Sequence, residues 1–529
     1  MNNVVLIGFM GSGKSSVGQL LAQRLKRAFI DLDERIVADA GRPVSRIFAE
    51  EGEGAFRARE SRCLLRALTE RGRLIAVGGG APLPDRNWEA IRQGNCVVGL
   101  LADRDELVRR LEGSTHRPLL EPDLRTAVDT LLPSRTSRYL QADLLVDTAG
   151  RSCDAVAAHI ADRLPLEGLD RISVEIPGSE HEVILGSRLA PLLGPMLRRA
   201  GSAGGVVVVT DEVVGAAHGD AVSAALDESG LSPHIHFLPR GEEAKQLPVL
   251  TKLYAELSAR GIDRAGALVA LGGGTVGDVT GFAAATWLRG IPYVQMPTTL
   301  LAMVDSSIGG KTGINLPTGK NLVGAVYQPA AVLCDLDHLR TLSEADYRSA
   351  LAEVIKAAIV ADPPLFQWLA EMRNGILNRE PALVGEVVRR SVAIKARIVA
   401  ADPGDRGSRA ILNYGHTVGH ALERTMGYGT LRHGEAVAWG MQVAGRLSLL
   451  SGLCSPDTVQ AQASLLAAYG LLDRKPRVSG TDLLAAMRHD KKSRQGEPRW
   501  VLLRDLGKPE FGVPVQRDHV ESAIDGVLA

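Results

Sequence analysis

Residues 268–281 read LVALGGGTVGDVTG: an apolar run breaks into three glycines, and helix-forming text follows. Residues 4–18, VVLIGFMGSGKSSVG, have the same shape. A strand that runs into a glycine-lined turn and then a helix is the unit with which α/β sheets hold phosphates and dinucleotides. The chain carries this unit twice, more than 250 residues apart, so two separate nucleotide sites are expected.

Working outward from the first unit, strand-like runs VVLIGF, AFIDLD, RLIAVGGG, CVVGLLA and DLLVDT alternate with helical text up to about residue 164. That alternation suits a doubly wound parallel sheet. A Pro–Gly segment near 165–171 reads as a linker, after which ISVEI opens a second α/β block running to about Asp335. Beyond it the text is helical: AEVIKAAIVAD, VVRRSVAIKARIVAAD, HTVGHALERT and EAVAWGMQVAGRLSLL. The expected fold class is therefore α/β: a parallel-sheet domain opening on the first glycine loop (1–166), a second, Rossmann-like α/β domain (172–335) and an all-α domain (336–529).

The bulk properties agree with a multidomain globular enzyme. At 529 residues the chain exceeds the size of one hydrophobic core. Lys plus Arg (61) equals Asp plus Glu (61), so no global field recruits nucleic acid or an anionic membrane, and anion sites must come from local clusters. Five scattered cysteines, Cys63, Cys96, Cys153, Cys334 and Cys454, form no CxxC pair, which points to a reducing compartment. No apolar run approaches the roughly 18 residues of a membrane span, and the apolar start runs into a glycine loop rather than a signal peptide. A cytoplasmic enzyme with small-molecule substrates is expected, with neither nucleic acid nor membrane as partner.

In the first unit, GFMGSGKS fits G-x-x-x-x-G-K-[ST] at Gly8, Gly13, Lys14 and Ser15. Phosphate oxygens need converging backbone N–H donors, Lys14 adds a point charge for the β/γ-phosphates, and the Ser15 hydroxyl suits Mg²⁺. The next strand ends with Asp31 and Asp33, two residues apart and so expected on one face, one to support hydrated Mg²⁺ and the other to receive a hydroxyl. Then come Arg57 in FRARE, Gly78, Gly79 and Gly80 in VGGGAP, Arg117 in HRPLL and Arg135 in SRTSRY.

In this order and spacing the series resembles shikimate kinase over the whole first domain. The resemblance implies ATP on Gly11, Ser12, Gly13, Lys14, Ser15 and Ser16, with shikimate's hydroxyls at Asp33. It implies that Arg57 and Arg135 hold the substrate carboxylate close to Gly79 and Gly80. Lys14, Asp33 and Arg117 would carry catalysis, Arg117 from a closing lid. Ser137 stands where the family has proline.

The second glycine loop reads G-G-G-x-x-G-D and not the Rossmann G-x-G-x-x-G. Thr298, Thr299, Asp305, Lys311, Lys320 and Asn321 follow in glycine-broken polar stretches that read as loops. In the helical part, His416 and His420 share a helix face, while HGEAV supplies His433 and AEVIK supplies Glu353. Two or three imidazoles plus a carboxylate make a zinc site with an open position, and four candidates leave one histidine to move protons. Lys356 lies one turn after Glu353, and Lys395 and Arg409 are further cations. Metal, cations and a nicotinamide-type loop together suggest an anionic polyol that is transiently oxidised.

This region, roughly 172–515, resembles 3-dehydroquinate synthase, through Pro239, Gly241, Glu242 and Lys245, then GGGTVGD, PTTLLAMVDSSIGGKTGIN, AEVIK, LNYGHTVGHA, HGEAV and DKK. The resemblance implies NAD⁺ contacts at Asp211, Glu242, Lys245, Gly273, Gly274, Thr275, Asp278, Thr298, Thr299 and Asp305. Zn²⁺ (or Co²⁺) would be held by Glu353, His416 and His433, leaving His420 for acid–base work beside Lys311 and Lys356. Lys311, Lys320, Asn321, Lys356, Lys395, Arg409, Asn413 and one of Lys491 and Lys492 would bind the substrate. The family is commonly dimeric, so a homodimer through this region is implied, with Arg289 reaching a neighbouring subunit. Val213 stands where the family has asparagine. The implied reaction oxidises 3-deoxy-D-arabino-heptulosonate 7-phosphate, eliminates phosphate, reduces the ketone again and closes a carbocycle, so that NAD is recycled.

Together the two halves read as a bifunctional enzyme of aromatic precursor synthesis. The alternatives are another sugar-phosphate cyclase or a metal-dependent NAD alcohol dehydrogenase in the second half. A dehydrogenase would not need the cation set that is present.

Overall fold

The structure, a computed structural model, describes residues 3–112, 123–164, 169–405, 407–427, 429–488 and 499–528. Arg117, Lys491 and Lys492 lie outside the described residues.

The first domain is built on strands β1 (Val4–Gly8), β2 (Phe29–Asp31), β3 (Leu74–Ala76), β4 (Cys96–Leu101) and β5 (Leu144–Asp147). They form one parallel sheet in the order β2-β3-β1-β4-β5. The continuous apolar run of β1 is buried throughout, as a central strand covered on both faces must be. Its C-terminal end falls where the strand order reverses, the place at which an open α/β sheet exposes a ligand crevice.

The second sheet uses β6 (Asp170–Val174), β7 (His181–Gly186), β8 (Val206–Asp211), β9 (Pro233–Leu238), β10 (Ala267–Gly272), β11 (Tyr293–Pro297) and β14 (Ala331–Asp335). Its order is β6-β7-β14-β11-β10-β8-β9, parallel except for the edge strand β6. Between β11 and β14 the chain forms an antiparallel hairpin of β12 (Lys311–Leu316) and β13 (Gly319–Val326). The sequence reads as polar loops there. Cross-strand pairing satisfies the backbone of those glycine-broken segments instead and lays them on the helix Gly274–Thr286.

Helices Glu344–Ala361, Pro381–Ala401, His416–Met426 and His433–Leu450 build the last part. Leu351, Val354, Ile355, Val388 and Val392 share one apolar cluster with Val183 and Val332 of the sheet. The part expected to be all-helical also carries the antiparallel pair β15 (Trp500–Asp505) and β16 (Lys508–Val513), whose Trp500 and Leu502 pack into a second cluster with Val443 and Leu447.

The two halves are not independent beads. One apolar cluster runs from Leu6, Val98 and Leu144 through Leu164 and Leu169 to Ile184, Leu193 and Val269. Beside it Asp143, fully buried, meets Arg171 at 2.5 Å and Arg199 at 3.5 Å. Its other oxygen accepts the Val97 N–H at 2.8 Å. Burial alone would raise this carboxyl, but the guanidiniums of Arg171 and Arg199 outweigh it and hold the group below its ordinary range.

Removing one member of a buried charge cluster strands the others, at a typical cost of about 3–5 kcal/mol. Asp143→Ala is therefore expected to lower the urea midpoint of unfolding for the whole chain. The folded carboxyl titrates below its unfolded value, so its stabilisation is present above the ordinary carboxylate range and lost as pH falls through the folded value. An acid-unfolding curve unchanged by the substitution would refute this role.

Candidate active sites

The first site begins where β1 enters the helix Lys14–Leu25. Gly13 has φ +94°, a left-handed turn that a side chain would strain, and it aims the following N–H groups at the cavity mouth. Lys14 Nζ folds back onto the carbonyls of Gly8 (3.0 Å) and Phe9 (2.9 Å). Ser15 Oγ donates to Asp31 Oδ2 at 2.6 Å, so the hydroxyl and carboxylate expected near Mg²⁺ are brought together.

Asp31 and Asp33 do not share a strand face. Asp31 is the N-cap of the helix Leu32–Ala40, accepts the Asp33 N–H at 3.0 Å, and leaves Asp33 in the first helical turn. The helix starts one residue earlier than strand alternation requires, because the Asp31 side chain caps it. Asp33 nonetheless lines the same cavity of about 730 Å³ as the phosphate loop, Gly78 and Gly79. A Cβ on Gly80 would come 2.4 Å from Arg57 Nη1, and one on Gly79 would come 3.6 Å from Arg135 Nη1. Arg57 and Arg135 thus converge on the glycine triplet.

The sequence did not reveal Glu60, which is 2% exposed, bonds Arg57 Nη1 at 2.7 Å and shares the surroundings of Gly78 with Asp33. Burial raises its carboxyl, against the pull of Arg57. Tyr139, the tyrosine that ends SRTSRY, donates its Oη to the Gly79 carbonyl at 2.6 Å; Arg110, which the sequence did not reveal, reaches the Gly11 carbonyl at 3.3 Å and the Thr148 carbonyl at 2.6 Å. Only the fold assigns Glu60 and Arg110 their neighbours.

In the second half, Glu353, His416 and His433 present ligand atoms within 4.8 Å of one another. His416 Nε2 lies 3.4 Å and His433 Nε2 3.5 Å from Glu353 Oε1. These are close to the roughly 3.4 Å edge of a tetrahedron with bonds near 2.1 Å. The tautomers suit a metal as well. His416 Nδ1 faces the Tyr414 carbonyl (3.3 Å) and His433 Nδ1 faces Glu423 (3.2 Å), which leaves both Nε2 lone pairs turned inward. Glu353 Oε1 is buried without a hydrogen-bond partner. This donor set fits a divalent cation.

Without a cation the electrostatics run to extremes. Burial drives His416 well below its ordinary value, with Lys356 adding to the effect. Burial also disfavours the charge on His433, but Glu353 and Glu423 outweigh it and raise the imidazole to about 10. His420 stands beside both rings, at centroid distances of 5.2 and 6.0 Å, and with Glu423 and His433 forms a second close group.

Next to this cluster is a cavity of about 510 Å³ lined by Lys311, Asn321, Lys356, Lys395, Arg409, Asn413, Asp278, Asp305 and His416. The lysines are already matched to carboxylates: Lys311 to Asp405, Lys356 to Glu353 and Lys395 to Asp305. Arg409, 3% exposed, reaches the Pro403 carbonyl at 3.3 Å. Lys320 joins from the rim, 3.5 Å from Glu242 and 3.8 Å from Glu423. Asp405 and Glu423 are partners that the sequence did not disclose.

The residues expected around a dinucleotide collect at the end of β10. Gly273 is the N-cap of the helix Gly274–Thr286, which opens with Gly274 and Thr275. The Thr298 N–H donates to the Gly272 carbonyl at 3.0 Å, and Thr299 Oγ1 accepts the Ala302 N–H at 3.1 Å. Lys245 binds Asp278 at 2.5 Å, and Glu242 accepts from Asn315 at 2.6 Å. Asp211 caps the turn after β8 by accepting from the Val213 and Val214 N–H groups, while the Val213 side chain stays exposed. Arg289 is exposed, at φ +68°, and lines neither cavity.

Fold and sites define a P-loop phosphoryl-transfer domain joined to an α/β–α enzyme with a metal-type cluster beside a polyanion pocket. Comparison with known proteins refines that class. Residues 10–165 match the model of the shikimate kinase family, 235–349 the 3-dehydroquinate synthase N-terminal model and 350–493 its C-terminal model. A 3-dehydroquinate synthase of Pelobacter propionicus is 44% identical over 336 residues, covering 64% of this chain and 94% of that protein. One of Synechococcus sp. is 42% identical over 364 residues, 68% and 97%. A solved 2-deoxy-scyllo-inosose synthase, complexed with carbaglucose-6-phosphate, NAD⁺ and Co²⁺, aligns with TM-score 0.63 at 26% identity over 68% of this chain and all (100%) of that one. The 2-epi-5-epi-valiolone synthase of Streptomyces hygroscopicus subsp. jinggangensis, with NAD⁺ and Zn²⁺ bound, gives 0.61 at 27% identity, covering 66% of this chain and 96% of that one.

The chain belongs to the 3-dehydroquinate synthase family and carries a shikimate kinase domain in the same polypeptide. It is a bifunctional enzyme of the shikimate pathway.

The metal cluster depends on close helix approach. A Cβ on Gly434, next to His433, would meet the Ser349 carbonyl oxygen at 1.8 Å, and Ser349 lies one turn before Glu353. Gly434→Ala is therefore expected to separate His433 from Glu353 and weaken metal binding about 10- to 100-fold, read as zinc retained after dialysis against a graded chelator. Wild-type retention would contradict the packing argument.

Proposed function

We propose that the first site transfers the γ-phosphoryl group of Mg-ATP to shikimate. We propose further that the second converts 3-deoxy-D-arabino-heptulosonate 7-phosphate to 3-dehydroquinate and phosphate with NAD⁺ and zinc. The observation that carries the second reading is the shared wall: His416 belongs both to the metal-type cluster and to the cavity bearing Lys311, Lys356, Lys395 and Arg409. Identity of 44% to synthases of this family, against 26–27% to the two related cyclases, favours this substrate over other sugar phosphates.

In the kinase site, Arg57 and Arg135 hold the substrate carboxylate and leave its hydroxyls facing Asp33. Asp33 orients the attacking hydroxyl and accepts its proton. Lys14 swings from the Gly8 and Phe9 carbonyls to the nucleotide phosphates, and Ser15 with Asp31 supports the magnesium ion. Catalysis is mainly positioning and charge neutralisation, the usual division of labour in phosphoryl transfer. Arg117, outside the described residues, would add a further positive charge.

In the synthase site, bound NAD⁺ and zinc supply hydride acceptance and polarisation of a hydroxyl. The remaining work falls to the chain. Lys311, Lys395, Arg409 and Asn413 exchange internal carboxylate and carbonyl partners for substrate oxygens, with Lys320, Asn321 and one of Lys491 and Lys492 completing the grip. His420, at the edge of the imidazole group, moves the proton of the polarised hydroxyl. Glu423 keeps His433 in the ligating tautomer. Gly273, Gly274 and Thr275, at the N-terminus of the helix Gly274–Thr286, would hold the phosphates of the dinucleotide. Asp211, Glu242, Lys245, Asp278, Thr298, Thr299 and Asp305 surround it.

We also propose a homodimer through the synthase half, with Arg289 serving a neighbour's site, and a cytoplasmic location. Among the described residues no helix is long and apolar enough to cross a membrane.

Lys14→Ala is expected to lower shikimate phosphorylation by about 10²-fold or more while synthase turnover stays within twofold of wild type. Zinc chelation should do the reverse. Loss of both activities under either treatment would contradict two separate sites. With 3-deoxy-D-arabino-heptulosonate 7-phosphate and substoichiometric NAD⁺, phosphate should appear without NADH accumulation; one NADH per phosphate would instead mark a dehydrogenase.

A further inference from the structure

Between the two activities lies a cavity of about 890 Å³, larger than the 730 and 510 Å³ clefts of the catalytic sites. The kinase half contributes Leu140, Leu144 and Arg92 to its wall, and the synthase half contributes Pro195, Arg198 and Arg199. Neither proposed reaction uses it.

Its charge is unbalanced. Four guanidiniums, of Arg92, Arg163, Arg198 and Arg199, reach the wall against the carboxylates of Asp147 and Glu228. Arg163 is held by Glu228 at 2.6 Å and Arg92 by Glu182 at 2.6 Å. Arg199 Nη2 donates to the Gln141 and Ala142 carbonyls and shares Asp143 with the closer Arg171, while its Nε is buried without a partner. Arg198 has no carboxylate partner among the described residues and donates to the Ser229 carbonyl. Burial pushes Arg199 down to about 10 despite Asp143, and Arg92 and Arg171 add to the effect. A guanidinium does not give up its proton in a protein, so Arg199 stays charged in this largely buried place.

We propose that this cavity binds a small organic anion, a carboxylate on an apolar ring, with the carboxylate on Arg198 and Arg199 and the ring against Leu140, Leu144 and Pro195. Planar guanidiniums grip carboxylates with paired hydrogen bonds, and a cavity of this size with apolar walls suits a small-molecule ring. Because both halves line it, the ligand bridges kinase and synthase and stabilises their joint.

The test uses the full-length protein with shikimate at saturation, so that the kinase carboxylate site is filled, and benzoate as the probe in calorimetric titration. Benzoate should bind saturably, and benzyl alcohol, the same ring without charge, at least about tenfold more weakly. Arg198→Ala should weaken benzoate about tenfold or more, and Ala203→Phe, which narrows the cavity from its exposed edge, should abolish binding. Both variants should keep both activities. Absence of saturable benzoate binding would overturn the proposal, as would binding that neither substitution changes. Tighter binding of inorganic phosphate than of benzoate would overturn the assignment to an organic acid.

Discussion

The second half of the molecule depends on one buried carboxylate. Glu353 is 3% exposed, on a helix pressed so closely against its neighbour that only glycine fits at position 434. An isolated charge at such a place is prohibitive. Glu353 stays ionised because Lys356, His416 and His433 surround it, and together they hold its carboxyl well below the usual range against the cost of burial. The same packing that demands those partners sets the imidazole nitrogens at metal-ligand spacing. Structure and site are here one constraint.

A second theme is that cations in the pockets arrive with internal anions. In a chain of zero net charge, Lys311, Lys356 and Lys395 each face a carboxylate, and Arg57 faces Glu60. These pairs make the ligand-free pockets tolerable, and a substrate phosphate or carboxylate has to replace a local partner instead of neutralising a bare charge. The interdomain arginines differ: Arg199 shares Asp143 with Arg171, and Arg198 meets a backbone carbonyl with no carboxylate partner among the described residues.

Much of this was legible in the sequence. The β-branched runs VVLIGF, CVVGLLA and LVALGGG became central strands because both faces are covered. Helix spacing left four candidate ligands for a metal, and the resemblance singled out Glu353, His416 and His433, which the fold brings within 4.8 Å of one another. What failed to show follows a pattern too. The β12–β13 hairpin pairs segments only a few residues apart, yet its polar, glycine-broken text lacks the apolar alternation of a strand and read as loops; β7, which pairs with β14 far along the chain, was not among the expected strands. Asp31 appeared to continue a strand, yet its side chain caps a helix. Glu60, Asp405 and Glu423 are single acids whose roles exist only once Arg57, Lys311 and His433 have been folded against them.

The central claim is that three helices converge to hold one ion through Glu353, His416 and His433. Zinc-edge X-ray absorption on the reconstituted protein tests it most directly. The account requires one zinc per chain with two imidazole nitrogens and one carboxylate oxygen at about 2.0–2.2 Å, and loss of the oxygen ligand in Glu353→Gln. A sulfur-containing shell, or a spectrum that Glu353→Gln leaves unchanged, would contradict it.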